Sequence, residues 1–333
     1  MPFRTKQILV GSDSAIRLEP VELPPLKSDE VLIETSTTLI SPGTERAKLL
    51  RLPGLTVNYP AATGYSLVGR VLALGADVTA LKPGDRVASR SRHAAHVVAK
   101  AAECHPIPNG LTDEEAAFFQ LLAIALQAVR KTRLEVGEGC AVLGVGLVGQ
   151  LALQVARIAG ALPTVAIDRD EGRLALAERL GADYCVNGND AADRIRELDE
   201  FKHGPPVVIE ATGNPVGLES ACQIAAFGGR VALLGSTRGA SEAFDFYKQV
   251  HKRGITLIGA HISTTYRAAA APGWWTQHDE QQTALRLLAA NRVNAAPLIT
   301  HRFSSVDAPE AYKLLAQWDP HAIGMVIDWT AKA

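Results

Sequence analysis

At 333 residues the chain exceeds what one hydrophobic core usually serves, so two domains are expected. A formal net charge of −1 leaves no electrostatic footprint for nucleic acid or an anionic membrane. Cys104, Cys140, Cys185 and Cys222 stand far apart with no Cys-x-x-Cys pair, which argues against a disulfide framework or a clustered structural zinc and fits a reducing compartment. Met-Pro-Phe-Arg-Thr-Lys6 lacks the apolar segment of a signal peptide and no apolar run reaches transmembrane length, so a cytoplasmic protein is expected.

In chain order, residues 1 to about 110 read as short strands and loops. Val31 to Ser36 alternates in part, Val68 to Gly75 is a strand broken by glycine, and Lys82-Pro-Gly-Asp85 is a turn by composition. Strand starts follow at Arg86-Val-Ala88 and Ala95 to Ala99. Short strands joined by Pro/Gly turns predict an antiparallel, barrel-like domain. Thr112-Asp-Glu-Glu115 has the form of a capping box and opens a long apolar helix to about Val129, a bridge to a second domain. From 139 to about 262, strands at 141–143, 164–167, 184–186, 207–210, 230–234 and 256–259 alternate with helical patterns, the order of a parallel, doubly wound sheet. Trp274–Trp275, with His261 and Tyr266 before them, belong to a loop that roofs a pocket or packs domains together. A helix is predicted over 280–290, with short elements to Trp329.

The stretch from Ala141 to Arg157 organises the second domain. Its strand breaks at Gly144-x-Gly146-x-x-Gly149 and passes into a helix. Gly144 permits the tight turn, Gly146 lets the backbone approach a pyrophosphate, and Gly149 lets the helix pack on the strand. The first helical turn, with Leu147 and Val148, then faces the phosphates. Asp168 ends the next strand, 19 residues beyond Gly149. A carboxylate there accepts hydrogen bonds from the ribose hydroxyls and repels a 2′-phosphate, so NAD is expected over NADP. Arg169 opposes that preference, because arginine pairs with such a phosphate or stacks on adenine.

With Ser41-Pro-Gly-Thr-Glu45, Gly64-Tyr-Ser-Leu-Val-Gly69, Lys82-Pro-Gly-Asp-Arg-Val87, the glycine turn, Glu210-Ala-Thr-Gly213 and Gly228 to Gly235, the chain resembles the medium-chain dehydrogenase/reductase superfamily over nearly its whole length. The first two motifs are most similar to a subgroup that includes bacteriochlorophyllide hydroxyethyl dehydrogenases. The resemblance implies an α/β protein with a catalytic, barrel-like (GroES-like) β domain at 1–121 and 263–333, a Rossmann domain at 122–262, and an active site in the cleft. It further implies Arg173 near the adenosine ribose, Thr212, Gly235 and Ser236 on the nicotinamide side, and backbone groups of Ala260 for the carboxamide.

Departures from the family pattern bear on the metal. Zinc members carry Cys where this chain has Pro42, Gly-His-Glu where it has Gly64-Tyr65-Ser66, and Cys where it has Gln120. Proline and tyrosine do not replace soft ligands and glutamine is a poor zinc donor, so no zinc is expected. Removing an alcohol proton (pKa ~16) onto a free imidazole (~6.5) ahead of hydride transfer costs roughly 12 kcal/mol. Proton and hydride must therefore move together, through a side chain at hydrogen-bonding distance. By the resemblance, His93 begins the strand that lines the substrate pocket and is the first choice, while alternation turns His96 the other way. Tyr65 either donates to a carbonyl oxygen or fills the volume of the missing metal. Thr44 matches the hydroxyl that relays the alcohol proton, but Ala47 replaces the histidine that ends the relay. Glu45 is a carboxylate near the cofactor, and Gln120 bonds substrate or polar neighbours.

The reading is a zinc-independent, NAD-preferring oxidoreductase of a secondary alcohol or ketone on a sugar, cyclitol or biosynthetic intermediate. Its rivals are an enoyl or quinone reductase and a dinucleotide-binding protein without turnover. A small-molecule substrate and a homodimer or homotetramer joined through the edge strand at Ile255–Gly259 are expected.

Overall fold

Alternating apolar side chains set the first part of the chain into strands, which the computed structural model describes over residues 3–242, 244–265 and 275–331. Tyr266 and Trp274 lie outside the described residues. In order come β1 (Arg4–Val10), β2 (Ile16–Glu22), β3 (Glu30–Leu39), α1 (Pro42–Leu49), β4 (Ala61–Ala62), β5 (Leu67–Leu74), β6 (Arg86–Ser89), β7 (His96–Lys100), β8 (Cys104–Pro106) and α2 (Asp113–Ala116). β3 carries Val31, Ile33 and Leu39 fully buried and pairs antiparallel with β5 and β7. The sheet continues from β5 through β6 to β8, and β2–β1–β4 form a second antiparallel sheet. The turn at Lys82–Asp85 closes with Asp85 N–H on the Lys82 carbonyl at 3.1 Å, with Gly84 at φ +89°. That conformation favours glycine.

The helix expected from Thr112 to Val129 is two. Thr112 and Glu115 form the reciprocal capping box of α2, the chain breaks at Ala117–Phe118, and α3 (Phe119–Lys131) follows. β9 (Cys140–Leu143), α4 (Leu147–Ile158), β10 (Thr164–Asp168), α5 (Glu171–Arg179), β11 (Tyr184–Asn187), α6 (Ala191–Glu197), β12 (Val207–Glu210), α7 (Pro215–Ile224), β13 (Arg230–Leu233) and β14 (Thr256–Gly259) then alternate. Their strands make one six-stranded parallel sheet in the order β11-β10-β9-β12-β13-β14. Strands buried on both faces read as unbroken apolar runs rather than alternating ones. Val207, Val208 and Ile209 are fully buried in that way.

After α8 (Gln277–Ala289) come β15 (Ile299–Ser304), α9 (Ala308–Gln317) and β16 (Gly324–Asp328). β16 joins β3 antiparallel and β15 in parallel, with α9 as the crossover a parallel pair requires. Among the described residues this is the one parallel pair in a sheet whose other pairs are antiparallel. α9 buries Ala308, Ala311, Tyr312 and Leu315 among Ile8, Val10, Ile40 and Leu49.

The chain forms two compact units, Met1–Gln120 with Gln281–Ala333, and Leu121–Glu280. The expected return to the first unit at 263 falls at 281 instead. The intervening segment is tied to α3: the Gln127 amide donates to the Ala260 carbonyl, Lys131 Nζ to Thr264 Oγ1 at 2.6 Å, and Arg130 Nε to Glu280 at 2.9 Å.

Candidate functional site

In the Leu121–Glu280 unit the glycines do distinct work at the carboxyl end of β9. Gly144 sits at φ +87°, and a Cβ there would lie 2.9 Å from the Thr212 amide nitrogen. A Cβ on Gly149 would overlap the Gly144 carbonyl oxygen. Gly146 differs, because its Cβ would meet nothing closer than an Arg173 guanidinium nitrogen at 3.9 Å. The open cradle thus lies at Gly146, the N-cap of α4, where the free N–H groups of Leu147 and Val148 begin the helix. A pyrophosphate fits this opening, with a cation beside it.

Asp168 closes the cradle. Its Oδ2 accepts the Val145 N–H at 2.9 Å and lies 3.9 Å from the Arg173 guanidinium. Its Oδ1 accepts the N–H groups of Arg169 at 2.8 Å and Asp170 at 3.1 Å. The carboxylate is therefore fixed in orientation before any ribose arrives.

Sequence reasoning passed over Glu210 as a site residue, although a carboxyl closing the apolar run Val207-Val-Ile was a visible signal. It is fully buried. Oε1 accepts the N–H groups of Thr212 at 2.7 Å and Gly213 at 3.1 Å as well as the Thr212 hydroxyl, and Oε2 accepts the Thr237 hydroxyl at 3.1 Å. One side chain thereby holds the loops after β12 and β13. A Cβ on Gly235 would strike the Gly213 amide, and Ser236 lies against Gly213. The Thr212 hydroxyl is engaged inside this loop rather than turned outward. Ala260 has its N–H on the Leu233 carbonyl at 3.2 Å and its carbonyl on Gln127.

Burial pushes the Glu210 carboxyl up, more than its hydrogen bonds bring it down. A raised folded-state value makes its contribution to stability complete at low pH and lost as pH rises through that value. Glu210→Gln keeps the three bonds to Oε1 and offers an amide N–H to the Thr237 oxygen. Thermal melting is expected to show it more stable than the parent at pH 8, by roughly 2 °C, with the difference shrinking toward pH 5.

The other unit gathers its polar groups at the start of α1. Ser41 is the N-cap and Pro42 the first helical residue, favourable there because its missing N–H is not needed. Glu45 turns back so that Oε1 accepts the Ser41 N–H at 2.7 Å. The His93 ring donates from Nε2 to Glu45 at 3.1 Å, and the Tyr312 hydroxyl donates to the same carboxylate. Glu45 and His93 are 0% exposed. His93 was expected to line a pocket; its ring instead points inward, held by backbone bonds from its N–H to Thr63 and from Ile8 to its carbonyl, both 2.9 Å. Burial alone would push the Glu45 carboxyl up, but the His93 ring beside it and the bonds from His93, Tyr312 and Ser41 hold it below the usual range. Burial, then the Glu45 charge, pushes Tyr312 well above the ordinary tyrosine value.

Tyr65 stands beside this cluster and is only partly buried. Its hydroxyl shares a hydrogen bond with Ser41 Oγ and lies 3.4 Å from Thr44 Oγ1. Burial, and further the Glu45 charge, push its pKa above the ordinary tyrosine value, while Ser41, Thr44 and Arg90 act against the rise. Tyr65 is thus a neutral phenol with its proton available. The Ser66 hydroxyl donates to the Ala117 carbonyl at 2.5 Å, and further along the chain Gln120 is buried. Its Oε1 accepts from Gln281 Nε2 at 2.6 Å, and Gln281 Oε1 in turn bonds His105 Nε2 at 2.8 Å. His96 is apart from this cluster, 3.4 Å from Thr5 Oγ1 and edge-on to Phe3.

Zinc does not suit these donors. Pro42 offers none, Tyr65 a neutral phenol, Ser66 a hydroxyl committed to a carbonyl, and Gln120 an amide oxygen already bonded. Among the described residues no three His, Cys, Asp or Glu side chains stand close enough to hold a metal ion. Ser41 had been read only as part of a motif and not as a site residue, and Tyr312 and Gln281 not at all. Tyr312 left a signal, a hydroxyl within the apolar stripe of α9.

Comparison with known proteins finds a family match in each part of the chain. The alcohol dehydrogenase GroES-like domain family matches residues 27–125, and the zinc-binding dehydrogenase family matches 148–288. L-threonine 3-dehydrogenase of Anaeromyxobacter sp. (strain K) is 30% identical over 308 residues, 83% of this chain and 84% of that one. D-guloside 3-dehydrogenase of Escherichia coli (strain K12) is 28% identical over 258 residues, 75% of this chain and 72% of that one. The crystal structure of galactitol-1-phosphate dehydrogenase from Escherichia coli superposes with a TM-score of 0.84 at 24% identity, covering 97% of this chain and 99% of that one.

Proposed function

The chain belongs to the medium-chain dehydrogenase/reductase superfamily and is an oxidoreductase, and we propose that it interconverts a secondary alcohol and a ketone on a metabolite bearing several oxygens, using NAD(H) and no zinc. The observation that carries this reading is the Tyr65 phenol, standing where zinc members carry a ligand, part-exposed and bonded to Ser41. The relatives are named for D-guloside, L-threonine and galactitol-1-phosphate, which supports a polar substrate. The orientation of Asp168 toward the Gly146 cradle supports NAD over NADP.

NAD(H), when bound, supplies or accepts the hydride. Leu147 and Val148 at the start of α4, with Arg173 nearby, would hold the pyrophosphate, and Asp168 would take the ribose hydroxyls. Tyr65 gives its phenolic proton to the substrate oxygen as the neighbouring carbon receives hydride, and takes it back in oxidation. Ser41 and Thr44 remain on the phenol oxygen to share the charge left there. Gln120, its oxygen occupied by Gln281, offers N–H to a further substrate oxygen. The open edge of β14, bonded only to β13 among the described residues, supports assembly as a homodimer or homotetramer.

The test is a panel of sugars, cyclitols and their ketones assayed with protein stripped by chelator and analysed for zinc. Turnover is expected within roughly twofold of the untreated protein. kcat/KM is expected to favour NADH over NADPH by about tenfold, the effect of ~1.4 kcal/mol of repulsion at Asp168. Stoichiometric zinc whose removal abolishes turnover, or reduction of enones alone, would defeat the reading.

A further inference from the structure

We propose that the buried Glu45–His93–Tyr312 cluster is the positioning scaffold of the Tyr65 phenol and reaches it through Ser41. The inference rests on the assignment of Tyr65 as the group that meets the substrate oxygen, and it adds residues that never touch substrate themselves.

Three distant parts of the chain supply the cluster: α1 gives Glu45, the segment before β7 gives His93, and α9 gives Tyr312. A carboxylate removed from water is tolerated only when donors satisfy it. Here the Ser41 N–H, the His93 ring and the Tyr312 hydroxyl do so. The Ser41 amide that Glu45 grips belongs to the residue whose hydroxyl holds Tyr65. Any turn of the carboxylate therefore moves the Ser41 backbone, and with it the hydrogen bond that aims the phenol. Tyr312 on Oε2 and His93 across both oxygens prevent that turn. The His93 ring is itself clamped, since Gly64 packs so closely that a Cβ there would lie 2.6 Å from its ring atoms. Gly64 also immediately precedes Tyr65, so both ends of the phenol's environment are fixed by one cluster. His93 Nδ1 is buried with no hydrogen-bond partner among the described residues, as a ring held for its Nε2 contact would leave it.

The cluster also sets charge. Glu45 faces Tyr65 with a negative charge that disfavours the phenolate, and Arg90 opposes it. Lys48 on α1 feels the Glu45 charge, and Arg92, in the segment before His93, acts on Lys48 in the opposite sense. The net result is a phenol kept as a proton donor, the state ketone reduction needs.

Three single variants test the scaffold against Tyr65→Phe. Ser41→Ala and Tyr312→Phe are each expected to lower kcat for ketone reduction about three- to tenfold with KM unchanged, the worth of one hydrogen bond. Glu45→Gln is expected to move the alkaline limb of the reduction pH profile to lower pH. It is also expected to lower the midpoint of Tyr65 ionisation in an ultraviolet difference titration of cofactor-free protein, taken against Tyr65→Phe. If Tyr65→Phe abolishes turnover while the three variants keep the parental kcat, pH profile and titration midpoint, the scaffold is rejected and Tyr65 stands. If Tyr65→Phe turns over normally, the assignment of Tyr65 falls and the scaffold with it. Should Tyr312→Phe fail to fold, Ser41→Ala, outside the apolar core, decides the matter.

Discussion

Tyr65→Phe is expected to lower kcat by about 10²–10⁴-fold, the usual contribution of a positioned general acid, while leaving KM close to the parental value. The substitution removes one oxygen and preserves the ring, so the volume against α1 stays filled. What disappears is the proton that must reach the substrate oxygen as hydride reaches carbon. Without it the developing alkoxide has no phenolic proton to take and must draw one from water. Ser41 and Thr44 are hydroxyls of much higher pKa and serve as hydrogen-bond donors rather than acids. The kcat–KM split carries the information, because loss of ground-state binding would raise KM instead. Steady-state ketone reduction with NADH measures it. A variant within about threefold of the parent would remove Tyr65 from the chemistry and return attention to His93.

The halves of the site were unequally legible. The cradle at Gly144–Gly149 and the carboxylate at Asp168 are short-range features, because a turn of fixed geometry and a strand end can be counted along the chain. The same local order predicted the parallel sheet from β9 to β14. The Glu45 cluster joins residues up to 267 positions apart, and no periodicity announces such a meeting. Its motif, Ser41 to Glu45, was visible as a string of residues but not as a helix start. The carboxylate's bond back to the Ser41 amide depends on α1 forming there. The inward turn of His93 was hidden for a related reason: its direction is fixed by Thr63 and Ile8, residues of other segments. Gln120 illustrates the reverse case, where the residue was found and its partners Gln281 and His105 were not.

Gly64→Ala is expected to be the most damaging single substitution of stability in this unit. Gly64 sits at φ +80°, a conformation that costs an L-residue roughly 1–2 kcal/mol. The new Cβ would also lie 2.6 Å from the Cγ, Cδ2 and Nδ1 atoms of His93. That ring cannot withdraw without leaving Glu45, and an unpaired buried carboxylate costs about 3–5 kcal/mol. Together these approach the whole stability of an ordinary domain, about 5–15 kcal/mol. Two further glycines separate the causes. Gly84 has φ +89° with nothing within 4 Å of its Cβ position, so Gly84→Ala reports backbone strain alone. Gly43 lies inside α1 at a negative φ with nothing within 4 Å, so Gly43→Ala is expected to be neutral or to stabilise by up to ~1 kcal/mol. In urea melts Gly64→Ala should lose about 3 kcal/mol more than Gly84→Ala, or fail to fold. Equal losses in the two would mean that the His93 ring moves freely and that Glu45 does not depend on it.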